Sequence, residues 1–121
     1  MNILVVDDST AIRKILIRVL RQTALEIGET FEAKDGVEAL EIVRNKPLDL
    51  VLSDINMPNM DGLALLAELK NGEQSRHLPV VMITTEGSEE KVGEAIRLGS
   101  AAYIRKPFTA EQIQEKVSAL L

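Results

Sequence analysis

A doubly wound α/β fold, in which a parallel sheet carries helices on both faces, is predicted by the order of apolar patterns along the chain. Short aliphatic runs alternate five times with segments whose apolar residues recur at helical spacing. This order implies parallel strands joined by right-handed crossovers. The 121 residues fit one domain, which can bury roughly two thirds of the surface of the unfolded chain. We therefore expect a single domain over residues 1–121, without an attached output domain.

The most clearly marked strand covers residues 50–53 and presents Asp54 at its carboxyl end. Its aliphatic run suits a strand that is covered on both faces. Pro58 favours extended geometry at Met57 and bars a helix there, so Asp54 should be fixed where the strand opens into a loop. Four further aliphatic or β-branched runs complete the predicted sheet, at residues 3–6, 29–33, 80–84 and 101–105.

Each predicted helix has a recognisable start signal and a set of apolar residues at helical spacing. The start signals are Ser9, the Asp35-Gly36 turn, the Asp61-Gly62 turn, Ser88, and a capping box of Thr109 with Gln112. The apolar sets are Ile12, Ile15, Leu16, Val19 and Leu20; Val37, Leu40 and Val43; Leu63, Leu65, Leu66 and Leu69; Val92, Ala95, Ile96 and Leu98; and Ile113, Val117, Leu120 and Leu121.

The charge balance and the absence of cysteine exclude several classes of function. The net charge is −5 and no cluster of Lys or Arg forms a basic stripe, which argues against direct binding to nucleic acid or to an anionic membrane. Without cysteine there are no disulfides, thiolate metal sites or cysteine nucleophiles. The apolar run 3–6 is too short for a signal peptide and no run approaches about 18 apolar residues, so we expect a cytoplasmic protein without membrane insertion.

Polar side chains with complementary chemistry follow four of the five predicted strands. In open α/β sheets the functional crevice lies at the carboxyl ends of the strands. Taken singly, each residue has an ordinary structural explanation as a helix-dipole partner, a cap, a strand residue or a solvated terminus. These ordinary explanations do not account for the whole set, because carboxylates about 4 Å apart repel by roughly 4 kcal/mol per pair at an effective dielectric of about 20. The residues are Asp7, Asp8, Asp54, Thr84 and Lys106.

A hard divalent cation among these carboxylates would relieve their repulsion. Oxygen ligands without His or Cys suit Mg²⁺, which takes one or two carboxylates together with water and phosphate oxygens. A carboxylate can also attack phosphorus to form an aspartyl phosphate, and Lys106 and Thr84 could hold the transferred oxygens. These residue types predict phosphoryl transfer with Mg²⁺ as the cofactor.

Over its full length the sequence resembles the bacterial response-regulator receiver domains, and within them the stand-alone, CheY-like chemotaxis type. The resemblance is carried by Asp7, Asp8, Asp54, Thr84 and Lys106, which agree with the family in order and in residue type. It implies a flavodoxin-like sheet with strand order 2-1-3-4-5.

The resemblance also assigns a role to each residue of the site. It implies that Asp54 is the phosphoacceptor and shares the Mg²⁺ site with Asp8 as a direct ligand, Asp7 as a ligand through water and Asn56 through its backbone carbonyl. Asn56 would also modulate dephosphorylation, together with Glu86. Both are the residue types of the chemotaxis branch, which suggests a short-lived phosphoryl state.

Other matching positions concern phosphoryl binding, switching and loop structure. Thr84 and Lys106 match the hydroxyl and the ammonium that bind the phosphoryl group. Tyr103 matches an aromatic switch residue that turns inward as the threonine hydroxyl moves. Pro58, Gly62 and Pro107 match structural loop positions, and Lys106-Pro107 a peptide bond that is cis in the family. Thr85 departs from the frequent alanine and would crowd the entrance of the site.

The resemblance further implies partners and a mode of output. A sensor histidine kinase or a small phosphodonor such as acetyl phosphate would supply the phosphoryl group. The face formed by the fourth helix, fifth strand and fifth helix would then bind a downstream protein, such as a flagellar motor switch. Autodephosphorylation would limit the signal.

Two other functions are open to a chain with these residues. A phosphatase of the haloacid dehalogenase class also uses an aspartate nucleophile, Mg²⁺, a hydroxyl and a lysine. It needs an acid two residues after the nucleophile, where this chain has Asn56, and it takes its nucleophile from the first strand rather than the third. An unphosphorylated scaffold domain is the other alternative. His77 is expected to be solvated in a polar loop, and Met57 and Met60 to serve as loop packing.

Overall fold

Strands and helices alternate along the parts of the chain that the computed structural model describes, residues 1–85 and 89–120. Within those residues the order is β1 (Ile3–Val6), α1 (Thr10–Gln22), β2 (Thr30–Ala33), α2 (Gly36–Asn45), β3 (Leu50–Ser53), α3 (Gly62–Asn71), β4 (Val80–Thr84), α4 (Glu89–Arg97), β5 (Ala102–Arg105) and α5 (Ala110–Ser118).

The strands form a single parallel sheet in the order β2-β1-β3-β4-β5, which confirms the predicted fold class and strand order. The last residue of β1, Val6, lies opposite Ala33 of β2 and Ser53 of β3. Thr84 at the end of β4 lies opposite Arg105 at the end of β5. The carboxyl ends of β1, β2 and β3 are therefore level, whereas β4 runs two residues beyond the end of β3, because Ser53 lies opposite Met82. The residues that end or follow the strands still meet at one edge of the sheet.

Alternate residues of each strand face opposite layers of the core, as the two-residue period of a strand requires. Leu4 and Val6 of β1 pack with apolar residues of α2, α3 and α4 on one face of the sheet. Ile3 and Val5 pack with apolar residues of α1 and α5 on the other face. All four β1 side chains are almost completely buried, so β1 contributes to both layers of the core.

Side chains cap the amino-terminal ends of four helices. Ser9 accepts a hydrogen bond from the backbone N–H of Ile12, and Thr109 forms the predicted capping box with Gln112. The carboxylates of Asp35 and Asp61 cap α2 and α3 in the same way. Each such cap is worth about 1 kcal/mol of helix stability, and together they fix where the strand-to-helix connections end.

Some predicted boundaries and core positions are wrong in detail. β2 begins at Thr30 and not at Glu29, because the N–H of Glu29 donates to the side chain of Asn2. β5 begins at Ala102, one residue later than predicted. Ile15, Val37 and Ile96 are 43%, 55% and 63% exposed, although their spacing predicts core positions.

These exposed residues show that the sheet covers only a narrow stripe of each helix. In α4, Ala95 is fully buried, and Ile96 lies about 100° further around the helix. Ser88, which the sequence marks as the start of this helix, and Leu121 lie outside the described residues. No helix in the described ranges combines the length and the apolar character needed to span a bilayer.

Asn2 ties together two loops at the amino-terminal edge of the sheet. Its side-chain amide donates to the carbonyl oxygen of Pro47 at 3.1 Å and accepts from the N–H of Glu29 at 3.0 Å. Its backbone N–H donates to the Asp49 carboxylate at 2.7 Å. One side chain thus holds the segments that lead into β2 and β3.

We expect Asn2→Ala to lower the free energy of unfolding by about 1 to 2 kcal/mol, because two hydrogen bonds across separate segments are lost. Urea unfolding followed by circular dichroism measures the change. The control is Asn45→Ala, whose side chain bonds only to Glu41 among the described residues, and which should change stability by less than about 0.5 kcal/mol. Equal losses in the two variants would contradict a tying role for Asn2.

Candidate functional site

Three carboxylates from two adjacent strands meet at the carboxyl edge of the sheet. Asp7 and Asp8 directly follow β1, and Asp54 directly follows β3. One carboxylate oxygen from each of the three residues lies within 4.8 Å of the other two. The predicted acidic cluster is therefore formed by the fold, with Asp7 buried, Asp54 largely buried and Asp8 exposed.

Lys106 places its ammonium group between two of these carboxylates. Its Nζ lies 2.7 Å from Oδ2 of Asp7 and 3.3 Å from Oδ2 of Asp54. Burial alone would lower the pKa of Lys106, but the hydrogen bond to Asp7 and the charges of Asp54 and Asp7 outweigh it and raise the pKa above its ordinary value. Lys106 is therefore charged at neutral pH, and its contribution to stability is lost only as the pH rises through its folded-state pKa.

The carboxylate of Asp54 is held at a fixed place beside this ammonium. Its Oδ1 accepts a hydrogen bond from the N–H of Ile55 at 2.7 Å, while its own N–H donates to the carbonyl of Val6 at 2.9 Å. The side chain is 11% exposed, so one side of it stays open to solvent. Gly62 lies so close that a Cβ there would overlap the Asp54 carbonyl oxygen, which explains why a glycine begins α3.

Asp7 is fixed by both its carboxylate and its backbone. The N–H of Ser9 donates to Oδ1 of Asp7 at 2.9 Å. Nη1 of Arg13 donates to the Asp7 carbonyl oxygen at 2.6 Å, and Nε of the same side chain is 3.0 Å from the Glu32 carboxylate. The hydrogen bond from Lys14, followed by that from Arg13, lowers the pKa of Glu32 in spite of its burial.

The support that Arg13 gives to Asp7 is absent from the sequence-based prediction. A signal was present, since a basic residue near the amino terminus of a helix is unfavourable against the helix dipole and indicates an acceptor close by. Arg13 also donates to Glu32 on β2, which is 19 residues away in the sequence. No sequence pattern indicates that these two residues are partners.

The remaining predicted residues occupy different surroundings. Thr84 is fully buried at the end of β4, at the same edge as the carboxylates. Tyr103 lies further back on β5, half-buried against the core layer of α2, α3 and α4. Asn56 is exposed in the loop after Asp54, whereas Glu86 lies outside the described residues. Thr85 is exposed beside the site.

The loop positions have the backbone features that their residue types favour. The Lys106-Pro107 peptide bond is cis, as the resemblance implied. The carbonyl of Pro58 accepts a hydrogen bond from the N–H of Met60 at 2.7 Å, which closes a tight turn. His77 is exposed in the polar loop before β4, where a solvated side chain was expected.

The acidic cluster suits a divalent cation by both charge and ligand type. Asp7, Asp8 and Asp54 carry three formal negative charges and Lys106 one positive charge, which leaves −2 at the site. The three converging oxygens belong to carboxylates, the ligands that Mg²⁺ prefers. The residues present therefore fit this ion.

Comparisons with known proteins agree with this geometry. A family model described as the response regulator receiver domain matches residues 3–118. The chemotaxis protein CheY-3 of Vibrio cholerae is 42% identical over 120 residues, which cover 99% of this chain and 91% of the relative.

Solved structures show the same similarity in three dimensions. That of the chemotaxis response regulator CheY4 of Vibrio cholerae has a TM-score of 0.85 at 32% identity, covering 99% of this chain and 98% of that one. A Mn²⁺-bound form of the response regulator Rcp1 has a TM-score of 0.81 at 28% identity, covering 98% and 90%. The chain therefore belongs to the response regulator receiver domain family, whose members act in two-component signalling, and it resembles chemotaxis CheY proteins over its whole length.

Proposed function

We propose that this receiver accepts a phosphoryl group on Asp54, in a Mg²⁺-dependent transfer from a sensor histidine kinase or from a small phosphodonor such as acetyl phosphate. The observation that carries the proposal is the pairing of a largely buried, oriented Asp54 carboxylate with the ammonium of Lys106 at 3.3 Å. This pairing supports the proposal, because a carboxylate that could attack phosphorus lies beside a cation that could bind the transferred oxygens.

The transfer forms one bond and breaks one bond at phosphorus. A carboxylate oxygen of Asp54 attacks the phosphorus atom, and the bond from phosphorus to the imidazole nitrogen of a phosphohistidine, or to the acetate oxygen of acetyl phosphate, breaks. Lys106 neutralises charge on the phosphoryl oxygens, and the hydroxyl of Thr84 donates to one of them. Because Lys106 is bonded to Asp7 before the transfer, it moves only a short distance to do so.

Asp7, Asp8 and Asp54 would hold the Mg²⁺ ion, with the backbone carbonyl of Asn56 as a further ligand. When bound, this ion supplies Lewis-acid stabilisation of charge on the phosphoryl oxygens. Receiver domains bind Mg²⁺ at an acidic pocket, and the cluster in this chain has the ligand type and formal charge for it.

The phosphoryl group would then shift an equilibrium between two conformations. Thr84 and Tyr103 lie on the neighbouring strands β4 and β5, so a displacement of the threonine hydroxyl reaches the tyrosine through adjacent backbone. The readout would be the face of α4, β5 and α5, where Ile96 is 63% exposed, and a downstream protein such as a flagellar motor switch would bind it. Moving the equilibrium from 1:99 to 99:1 takes about 5.5 kcal/mol of differential interaction.

Autodephosphorylation would make the signal transient. Asn56 is exposed two residues after Asp54, where its side chain can influence access of water, and we assign Glu86 the same role by resemblance. Asn56 cannot protonate a leaving group as an acid would, and the nucleophile follows β3 and not β1. Both observations disfavour turnover of external phosphate esters, so we propose a signalling domain that catalyses only its own phosphorylation and dephosphorylation.

A groove beside the site offers a docking place for the kinase. Its volume is about 390 Å³, and it lies between α1 and the turn that follows β5. The groove borders Lys106, so a donor seated there would have its phosphohistidine close to Asp54. Ile15, 43% exposed, belongs to it. The lining residues are Ile12, Ile15, Val19, Thr85, Lys106, Pro107 and Phe108.

Incubation with acetyl phosphate and Mg²⁺ should add one phosphoryl group to the wild-type chain and none to Asp54→Asn, because only the carboxylate is a competent nucleophile. Intact-protein mass spectrometry counts the added groups. Phosphate retained on Asp54→Asn would place the acceptor elsewhere. Multiple turnover of a panel of phosphomonoesters by the wild type would instead favour the phosphatase.

Mg²⁺ should raise the melting temperature of the wild type more than that of Asp8→Asn, because a cation that binds the folded state stabilises it. At a concentration about 100 times the dissociation constant the expected gain is about 2.7 kcal/mol. Differential scanning calorimetry with and without Mg²⁺ measures both shifts. Equal shifts in the two proteins would mean that the ion binds away from the acidic cluster.

Ile15→Asp should slow phosphoryl transfer from the autophosphorylated kinase by about tenfold and leave phosphorylation by acetyl phosphate unchanged, because a charge in the groove opposes docking of a protein but not of a small donor. The matched control is Val37→Asp, an exposed aliphatic residue on α2 away from the groove. Similar rates for both variants with the kinase would rule out the groove as the docking place.

A further inference from the structure

The loop of residues 54–61, which follows β3, is fastened to the amino-terminal end of α2 by two hydrogen bonds. Nδ2 of Asn59 donates to Oδ2 of Asp35 at 2.7 Å. The N–H of Gly36 donates to the carbonyl oxygen of Met60 at 3.0 Å. Both acceptor–donor pairs join segments that are more than 20 residues apart, so together they form a fixed point between α2 and the loop, here called the loop anchor.

The two side chains of the anchor differ in burial, since Asn59 is exposed and Asp35 is buried. Asp35 is only 3% exposed, and its second oxygen, Oδ1, accepts the N–H of Glu38 at 2.9 Å. These two hydrogen bonds, first that from Glu38 and then that from Asn59, lower the pKa of Asp35. A Cβ at Gly36 would lie 2.6 Å from Cγ of Met60, so a larger residue there would require the Met60 side chain to shift.

Asn59 adopts a backbone conformation that most side chains avoid. Its φ angle is 65°, in the left-handed region where Asn is tolerated better than other residues apart from glycine. Asp35 caps α2 by accepting the N–H of Glu38, and Asn59 takes no part in that cap. Helix capping therefore does not explain why Asn59 has a left-handed backbone. The conformation aims the Asn59 amide at Asp35, which indicates that the contact matters for the loop itself.

The other end of the loop is also fixed. Ile55 is completely buried, and its carbonyl accepts the N–H of Gly62 at 2.8 Å. Between Ile55 and the anchor at Asn59 lie only residues 56–58, beginning with the exposed Asn56. A span of three residues held at both ends has little conformational freedom. The anchor therefore limits where the backbone of Asn56 can lie relative to Asp54.

We propose that Asp35 and Asn59 are positioning residues, which hold the backbone of Asn56 in place for the divalent cation and so set the affinity of the acidic cluster for Mg²⁺. This inference rests on the proposed function in one respect, the assignment of the Asn56 carbonyl as a ligand. Neither residue touches the reacting atoms. They act through the loop, in the way that outer partners orient the direct ligands of a metal.

The test compares Mg²⁺ dissociation constants by isothermal titration calorimetry. Asn59→Gly removes the amide but tolerates the left-handed backbone, and we expect a dissociation constant weaker by about tenfold. Asp35→Ala should weaken it similarly, and the double variant should add little, since both changes break the same contact. Phosphorylation by acetyl phosphate should be slower at low Mg²⁺ and return to the wild-type rate when Mg²⁺ saturates the site.

Two controls separate positioning from general stability. Asn2→Ala is destabilised at the opposite edge of the sheet and should bind Mg²⁺ like the wild type. Asp35→Asn retains a good N-cap and can still bond to Asn59 after the Asn59 amide turns over, so it should recover most of the affinity lost in Asp35→Ala.

Unchanged Mg²⁺ affinity in both Asn59→Gly and Asp35→Ala would overturn the inference, as would an equal loss of affinity in Asn2→Ala. If Asn59→Gly does not fold, Asp35→Ala and Asp35→Asn provide the same comparison. Failure of the proposed function would appear differently, as a wild type that takes up neither Mg²⁺ nor a phosphoryl group.

Discussion

Electrostatic repulsion at the carboxyl edge of the sheet is the constraint on which the site depends. Three carboxylate oxygens within 4.8 Å of one another would repel by roughly 3 to 4 kcal/mol per pair at an effective dielectric of about 20. Lys106 offsets part of this through its contacts with Asp7 and Asp54. The remaining formal charge of −2 favours a divalent cation, and a bound cation would in turn favour the dianionic phosphoryl group of the proposed function. Each partner of the site is thus suited to the charge left by the others.

The strand order gives this arrangement its geometry. Lys106 follows β5 at the edge of the sheet, whereas Asp54 follows β3, two strand positions away. Neighbouring strands are about 4.8 Å apart, so the ammonium has to pass the end of β4 to reach the carboxylates. Thr84 is the last residue of β4 and is fully buried at that end. The role proposed for the Thr84 hydroxyl in binding the phosphoryl group follows from this place at the end of β4.

Much of this could be predicted from the sequence because parallel strands collect their end residues at one edge. The alternation of apolar runs with helical spacing predicted the fold, and Asp7, Asp8, Asp54 and Lys106 converge as their positions after the strands required. The strand order, in contrast, came from family resemblance, since periodicity does not say which strands are neighbours.

The sequence failed where a property depends on the surroundings of a side chain. Ile96 and Val37 have the right spacing for a core stripe, yet the sheet does not extend over them. Asp35 and Asn59 each look like turn residues, and only the folded chain brings the amide of one to the carboxylate of the other. Contacts of this kind join residues that are distant in the sequence and belong to no recognised motif, so no local sequence pattern predicts them.

The amino-terminal and carboxyl edges of the sheet are held by different kinds of contact. Asn2 fastens the loops of the amino-terminal edge through neutral hydrogen bonds and one carboxylate, with no cluster of like charges. The opposite edge holds the three converging carboxylates and the left-handed Asn59. The strands between the two edges are buried throughout β1, β3 and β4, so the apolar core lies between the acidic cluster and the segments that Asn2 holds. Because the contacts of Asn2 and the acidic cluster share no residue, a substitution of one of the three carboxylates leaves the partners of Asn2 in place.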